Sequence, residues 1–325
     1  MNFFGKCALG ALAAGVLSIS GVAAQSFPSR NITMVVPFAP GGGTDVLARM
    51  MAKEIETKLG KSVIVENRPG AGGTIGAMAV LRAAPDGHTI FLGSGTNLAV
   101  NVSLYKKLSY DPVKQFTPLA LASQTPFVLV VNPTIPVKTL REFVDYVKPR
   151  QKDISYGSSG PGVPHHLFME LLGSMAGFKI TMVPYKGSLP ALNDVIAGHV
   201  PMMFVDIGPA FGSISAGKVR PIAVSTAERV SVLKDTPPVA ETYPGFDAAG
   251  WFMFAGPSGM PEEAVTKLHA AMSEALLKPE FGTALVKFGL IPQKNKPLAE
   301  LKKFVADEVE RWRKVVRLAG VEGKF

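Results

Sequence analysis

The chain has 325 residues, of which 47% are hydrophobic, and a formal net charge of +9 at pH 7. Cys7 is the only cysteine, which excludes a fold held by disulfides within the chain, and this length can bury a conventional core, most simply as two domains. The basic residues are scattered, and the densest group, near residues 311–317, alternates with acids. This distribution argues against a nucleic-acid partner.

The first 24 residues are typical of a cleaved export signal. Lys6 precedes a short apolar region, and Val22-Ala23-Ala24 supplies the small residues that a signal peptidase needs before Gln25. The apolar stretch is interrupted by glycine and serine and is short for a membrane span of about 20 residues. We therefore predict a mature protein that is soluble outside the cytoplasm, and the family resemblance described below implies the periplasm.

The first half of the mature chain alternates short strands with helices. Apolar spacing predicts strands at 32–36, 63–65 and 89–92 and helices at 44–59 and 74–83. A glycine-rich turn follows each of these strands. Such alternation predicts a mostly parallel sheet with right-handed crossovers.

A second series of the same kind begins after the proline-bracketed run 118–132, which holds two short apolar strands. The further predicted strands are 154–156, 180–183, 200–205 and 219–224, with helices at 140–147, 165–175 and 189–197. A buried strand at 250–256 and three helices complete the chain. The last helix, 297–318, carries one apolar stripe that we expect to lie on a domain core.

These series predict two domains. The expected boundaries are 25–127 plus 248–325 for the first domain and 128–247 for the second, with a hinge near 125–130 and 245–250. Ligands of open α/β sheets bind beyond the carboxyl ends of the strands. The turns of both domains are therefore expected to face a shared cleft.

Five of these turns are rich in glycine, serine or threonine: 40–45, 69–74, 93–97, 157–162 and 206–209. Glycine lets the backbone approach a ligand, and free N–H groups at a helix start favour negative charge. No arginine occurs in these turns. We therefore expect a small anion to be held by main-chain amides, hydroxyl groups and water.

Catalytic and cofactor patterns fail in these turns. Val46 stands where a dinucleotide fingerprint from Gly41 needs its last glycine, and Gly60-Lys61-Ser62 lacks the first glycine of a phosphate loop. A nucleophile elbow around Ser159 would need glycine in place of Pro161. We predict no catalytic residue and no cofactor.

Histidines and acids give weaker signals. His166 and Glu170 are four residues apart, but no third residue has metal-ligand spacing, so no metal site is predicted. His165 opens a predicted helix, where it can contact a ligand or simply pack. Asp45 is favoured as a first-turn carboxylate over a ligand contact, whereas Asp206 can face the cleft.

Six segments carry a family pattern: Ile32–Asp45, Val65–Gly73, Pro85–Thr89, Tyr156–Gly162 with His165, Pro184–Gly187 and Trp251–Pro261. Together they span nearly all of the mature chain. They resemble the Bug receptors, the TctC-like solute-binding proteins of the tripartite tricarboxylate transporters. Phe252-Met253 departs from the pattern, because relatives often carry smaller residues there.

The resemblance implies an α/β, type II-like periplasmic-binding-protein fold with two domains, each a mostly parallel sheet flanked by helices, and a ligand cleft between them. It implies a monomeric receptor, not an enzyme, that binds a small organic carboxylate and delivers it to membrane permease subunits of the TctA/TctB type. The residues expected to bind the ligand are Phe38, Pro40, Gly41, Gly42, Asp45, Ser94, Thr96, Ser158, Ser159, Gly160, Gly162, His165 and Asp206.

Two other functions stay open at this point. A sensory receptor that presents its acid to a membrane kinase would need the same closed state. A periplasmic hydrolase would use Ser159 and a histidine. The sequence does not identify the carboxylate or its affinity.

Overall fold

The computed structural model of the protein describes residues 26–41 and 43–324. The predicted export signal, Cys7 and Gly42 lie outside the described residues. Within the described part of the chain, no helix is long and apolar enough to cross a membrane.

The strands of the described chain lie close to the predicted ones. Their bounds are β1 Ile32–Val36, β2 Val63–Asn67, β3 Thr89–Ser94, β4 Phe116–Thr125, β5 Phe127–Val131, β6 Ser155–Ser158, β7 Thr181–Pro184, β8 Met202–Asp206, β9 Arg220–Val224, β10 Gly250–Pro257 and β11 Ile291–Pro292. The strand predicted at 32–36 is confirmed residue for residue.

The helices follow the prediction with short additions. Their bounds are α1 Gly43–Leu59, α2 Thr74–Leu81, α3 Asn101–Leu104, α4 Pro112–Gln115, α5 Leu140–Val147, α6 Pro164–Ala176, α7 Ser188–Ala197, α8 Ile207–Ser215, α9 Glu262–Leu277, α10 Pro279–Lys287 and α11 Leu298–Leu318. A π-helical turn, Thr96–Val100, precedes α3. The sequence pattern did not predict α3, α4 or this turn, because each is too short to show a helical period.

The predicted limits of α5, residues 140–147, are confirmed, and the structure shows local capping at its start. The Thr139 hydroxyl accepts a hydrogen bond from the Glu142 amide at 3.2 Å, and the Glu142 carboxylate accepts one from the Thr139 amide at 3.2 Å. This reciprocal pair is a capping box, which satisfies N–H groups that have no partner inside the helix. Residues next to the helix start therefore determine where α5 begins.

The largest sheet has the strand order β11-β4-β10-β3-β1-β2. Its β1 strand pairs in parallel with β2 and β3, whereas β10 pairs antiparallel with β3 and β4. The expected mostly parallel arrangement is therefore wrong for this sheet. The reason is that β10 returns late in the chain and inserts between two earlier strands.

The second series builds a three-stranded sheet, β8-β5-β9, and a parallel pair, β6-β7. Both neighbours of β5 run antiparallel to it, so the mostly parallel prediction is wrong here too. The crossover helix α8 does connect strands of one direction, β8 and β9, but β5 lies between them. Alternating strands and helices indicate that successive strands run in the same direction. They do not indicate whether a strand from a distant part of the sequence lies between them in the sheet.

The chain changes sheet at Pro126. Thr125 ends β4 in the six-stranded sheet, and Phe127 begins β5 in the three-stranded sheet. The return to the large sheet falls between β9 and β10. The first change lies in the predicted crossover near 125–130, and the interval of the second contains the predicted crossover near 245–250. The domain boundaries and the hinge stay predictions.

The C-terminal helix α11 packs against β4 and against α6. Its buried stripe includes Val305, Trp312 and Val316, as its spacing predicted. Between these residues lies Glu308, whose side chain is buried and accepts hydrogen bonds from Trp251 Nε1 at 2.6 Å and Trp312 Nε1 at 2.9 Å. A buried carboxylate is tolerated only with such partners, so this contact fixes α11 against β10.

Removing this carboxylate should destabilise the fold. In Glu308→Ala two buried indole N–H groups lose their acceptor, and we expect a loss of about 2 to 4 kcal/mol in the free energy of unfolding, measured with urea. Glu310→Ala removes an exposed carboxylate of the same helix and should cost less than about 0.5 kcal/mol. Equal losses in the two variants would contradict the role given to Glu308.

Candidate ligand-binding cleft

A cavity of about 630 Å³ lies where the ends of several strands meet the starts of helices. This volume is within the range of small-molecule sites, about 300 to 1,000 Å³. Its polar lining residues are Thr44, Ser94, Thr96, Thr125, Ser159, His165, Lys186, Ser188 and Asp206. Residues from both predicted domains therefore face one space.

Six of the predicted ligand-binding residues line this cavity: Phe38, Ser94, Thr96, Ser159, His165 and Asp206. Six others do not line it, although they lie in the same turns: Pro40, Gly41, Asp45, Ser158, Gly160 and Gly162. Gly42 lies outside the described residues. The turns are thus at the cavity, but only part of each turn reaches it.

Asp45 holds the first turn in place. Its carboxylate accepts hydrogen bonds from the Gly41 amide at 3.1 Å, Arg49 Nε at 3.0 Å and Asn67 Nδ2 at 3.0 Å. Burial works to raise the pKa of Asp45, but the bonds from Arg49, Gly41 and Asn67 outweigh it, and the pKa is lowered. This ionised carboxylate ties α1 to β2, in agreement with the first-turn interpretation.

The amides of the 157–162 turn are also used inside the protein. The Gly160 amide donates to Ser158 Oγ at 3.2 Å, and the Gly162 amide donates to His166 Nδ1 at 2.9 Å. Burial, with Lys324 nearby, lowers the pKa of His166 to about 4, so Nδ1 keeps the lone pair that this bond needs. Main-chain donors that we expected to hold an anion are therefore already occupied at Gly41, Gly160 and Gly162.

A chain of side-chain contacts forms the second-domain wall of the cleft. Ser159 Oγ lies 2.9 Å from His165 Nδ1, and His165 Nε2 lies 2.9 Å from Ser188 Oγ. Ser188 Oγ in turn donates to Asp206 Oδ2 at 2.6 Å. Since this bond uses the only hydroxyl proton of Ser188, the same oxygen accepts the proton that His165 carries on Nε2.

Asp206 is the anionic residue at the end of this series of side-chain contacts. Burial works to raise its pKa, but the nearby His165 and hydrogen bonds from His165 and Ser188 outweigh it, and the pKa is lowered. Asp206 is therefore ionised at neutral pH and fixes the orientation of the imidazole ring. The ring nitrogen on the other side, Nδ1, is left facing Ser159 in the cavity wall.

Several lining residues were missed by the sequence reasoning. Lys186 is the only lysine or arginine among the described lining residues, and Ser188 follows it at the start of α7. Lys186 lies within the Pro184–Gly187 segment that the family pattern already contains, and Ser188 comes directly after that segment. Gly187 with φ 141° makes the turn there. The glycine turn 69–74 also lines the cavity, through Pro69, Gly70, Gly72 and Gly73.

No group of three histidine, cysteine or acidic side chains among residues 26–41 and 43–324 is placed to hold a metal ion. His166 and Glu170, which the sequence analysis compared with metal ligands, line a separate surface pocket instead. Within it, Glu170 accepts a hydrogen bond from Tyr156 at 2.9 Å. Both residues thus have structural partners.

Residues 47–321 match the model of the tripartite tricarboxylate transporter family receptor, TctC. The chain belongs to this family. The receptor is 35% identical over 305 residues to protein BugT of Bordetella pertussis, which covers 93% of each chain. The resemblance stated from the sequence motifs is thereby confirmed.

Solved structures show the same fold. A Rhodopseudomonas palustris protein solved with adipate has 35% identity and a TM-score of 0.82, covering 91% of this chain and 99% of its own. MatC of the same species, solved with malate, has 37% identity and a TM-score of 0.78, covering 89% and 100%. The receptor therefore has a two-domain, α/β periplasmic-binding-protein fold, as expected apart from the strand directions.

The charge on Asp206 makes part of the receptor's stability depend on pH. A lowered pKa means that this contribution is present above the unfolded value of about 3.9 and is lost as the pH falls through the folded value. Asp206→Asn should cost about 1.5 to 3 kcal/mol near pH 6, and the difference should shrink toward pH 3. Urea unfolding at several pH values measures it, with the exposed Asp307→Asn as a control that should stay near zero. A difference that does not change with pH would contradict this assignment.

Proposed function

We propose that this receptor binds a small organic carboxylate in the cleft and acts in the periplasm as a monomer without catalysing a reaction. It then delivers the acid to permease subunits of the TctA/TctB type. The observation that carries the proposal is one cavity lined from both predicted domains, with Lys186, Ser159 and His165 on one wall and Ser94 and Thr96 on the other. Two relatives solved with adipate and malate support it.

The donors in the cavity suit a carboxylate group. Lys186 provides an ammonium group, and Ser94 keeps a hydroxyl proton because its oxygen accepts from Asn97 Nδ2 at 3.1 Å. An ionised acid accepts several such bonds at once, and charge-assisted bonds are the stronger ones.

Closure couples binding to delivery. A ligand that contacts both walls stabilises the closed form in proportion to its extra contacts there. A membrane partner can then distinguish loaded from empty receptor by the relative position of the two domains. Presentation to a sensor kinase would use the same closed form, so this alternative differs in the partner and not in the cleft.

Lys186→Met should weaken binding of the best acid from a panel by about 10- to 100-fold, since one charge-assisted contact is lost. Isothermal titration calorimetry measures the change. Lys218→Met is the matched control, because Lys218 is exposed and does not line the cavity, and its affinity should be unchanged. No binding by the unmodified receptor to any acid of a broad panel would reject the proposal.

The Ser159–His165–Asp206 series is the one observation that favours a hydrolase. His165 Nε2 lies 3.4 Å from Asp206 Oδ2, and His165 Nδ1 faces Ser159. An acyl-transfer site also needs free donors for the oxyanion, but the Gly160 and Gly162 amides beside Ser159 donate to Ser158 Oγ and His166 Nδ1. The series therefore supports ligand orientation better than catalysis.

Turnover separates these two functions. We expect the receptor and its Ser159→Ala variant to hydrolyse p-nitrophenyl esters at the same background rate, because the oxyanion is not stabilised. The same variant should bind the acid more weakly, because the hydroxyl that contacts His165 Nδ1 and orients this ring in the cavity wall is lost. Ester hydrolysis that disappears in Ser159→Ala would establish the hydrolase instead.

A further inference from the structure

The cleft has an aromatic side that the anion-binding groups do not explain. Five aromatic side chains line the cavity: Phe38, Phe127, Trp251, Phe252 and Trp312. They include both tryptophans of the sequence. Phe127, Trp251 and Trp312 are only 2 to 3% exposed, so the aromatic surface open to a ligand is mainly that of Phe38 and Phe252. A small hydrophilic acid would leave this apolar surface without a partner.

The two indole rings are fixed and present only apolar surface. Trp251 Nε1 and Trp312 Nε1 both donate to Glu308 Oε2, so neither N–H group is available to a ligand. Trp312 also stacks on Phe168, with ring centroids 5.9 Å apart. These rings form a rigid apolar boundary of the cavity.

Phe38 and Phe252 give this side its shape. Their rings meet edge to face, with centroids 6.3 Å apart and an interplanar angle of 85°. Both rings pack against the core on one side, both are only partly buried, and both line the cavity. Aromatic rings prefer partners at about 4.5 to 7 Å in this geometry, so a ligand ring can add to the pair.

The charges of the lining fit one carboxylate. Lys186 is its only lysine or arginine and Asp206 its only acid among the described lining residues. One bound carboxylate can pair with the Lys186 ammonium group on the polar wall. A second carboxylate would lie against the aromatic side without a cation, and burying an unpaired charge is costly.

We propose that the cleft selects an aromatic monocarboxylate, with its carboxylate at Lys186 and its ring against Phe38 and Phe252. This inference rests on the proposed carboxylate-binding function and narrows its ligand class. The pair of phenylalanine rings acts as the specificity-determining element, and the polar wall supplies affinity that any acid can use.

Matched ligands test the ring directly. The purified receptor is titrated calorimetrically with benzoate, phenylacetate and 3-phenylpropionate, with their cyclohexyl counterparts, and with terephthalate, adipate and malate. We expect at least one aromatic monocarboxylate to bind more than threefold tighter than its cyclohexyl counterpart and tighter than every dicarboxylate. Equal affinity within each pair, or tighter binding of a dicarboxylate, overturns the inference and leaves the proposed function standing. No binding by any acid rejects the function itself.

Phe252→Leu tests the residue that carries the selectivity. It should lower affinity for the preferred aromatic acid by about 3- to 10-fold and change affinity for its cyclohexyl counterpart by less than twofold. Phe211→Leu is the control, because Phe211 is exposed and does not line the cavity, and it should change neither. Equal loss for both ligands in Phe252→Leu would mean general packing and would overturn the assignment. Phe38→Leu provides the same comparison if Phe252→Leu does not fold.

Discussion

The geometry of the cleft depends on one buried carboxylate, Glu308. It receives the indole protons of Trp251 on β10 and Trp312 on α11, and Arg311 donates to its other oxygen at 3.0 Å. Three donors offset the cost of removing a charge from water. The last helix of the chain is thereby fixed against the large sheet while it also packs on α6, so elements from opposite sides of the cleft share one support.

The second-domain wall of the cleft is also fixed by contacts inside the protein, in this case at Gly162. Its backbone has φ 73°, and a side chain there would place a Cβ atom 2.6 Å from Leu104 Cδ1, so only glycine fits. With its amide bound to His166, the turn is rigid before any ligand arrives. Its main chain is therefore occupied by structural contacts, and the groups it presents to the cavity are the side chains of Ser159 and His165.

The sequence was sufficient for most of the elements and for the turns that border the cavity, because both depend on neighbouring residues. Apolar spacing and glycine turns are properties of neighbouring residues, and they located α5, β1 and the turns at 38–45 and 157–162. The strand directions failed because the neighbours of β10 and β5 come from distant parts of the chain. The same limit applies to Asp45, because one of its hydrogen-bond partners is Asn67 on another strand. Lys186 was missed because only a glycine-rich turn was taken as a sign of an anion.

The two walls of the cleft carry different groups because they are built from different elements of the fold. The large sheet and α11 bring mainly aromatic surface, and the turns before α6, α7 and α8 bring Ser159, Lys186 and Asp206. Neither wall alone surrounds a ligand, since the polar wall leaves the apolar part of an acid in water and the aromatic wall leaves its charge unpaired. An acid with both parts gains most when the two walls meet. Under the proposed function, the preference for the closed form is therefore greatest for the ligand whose shape and charge match both walls, so that binding and closure occur together.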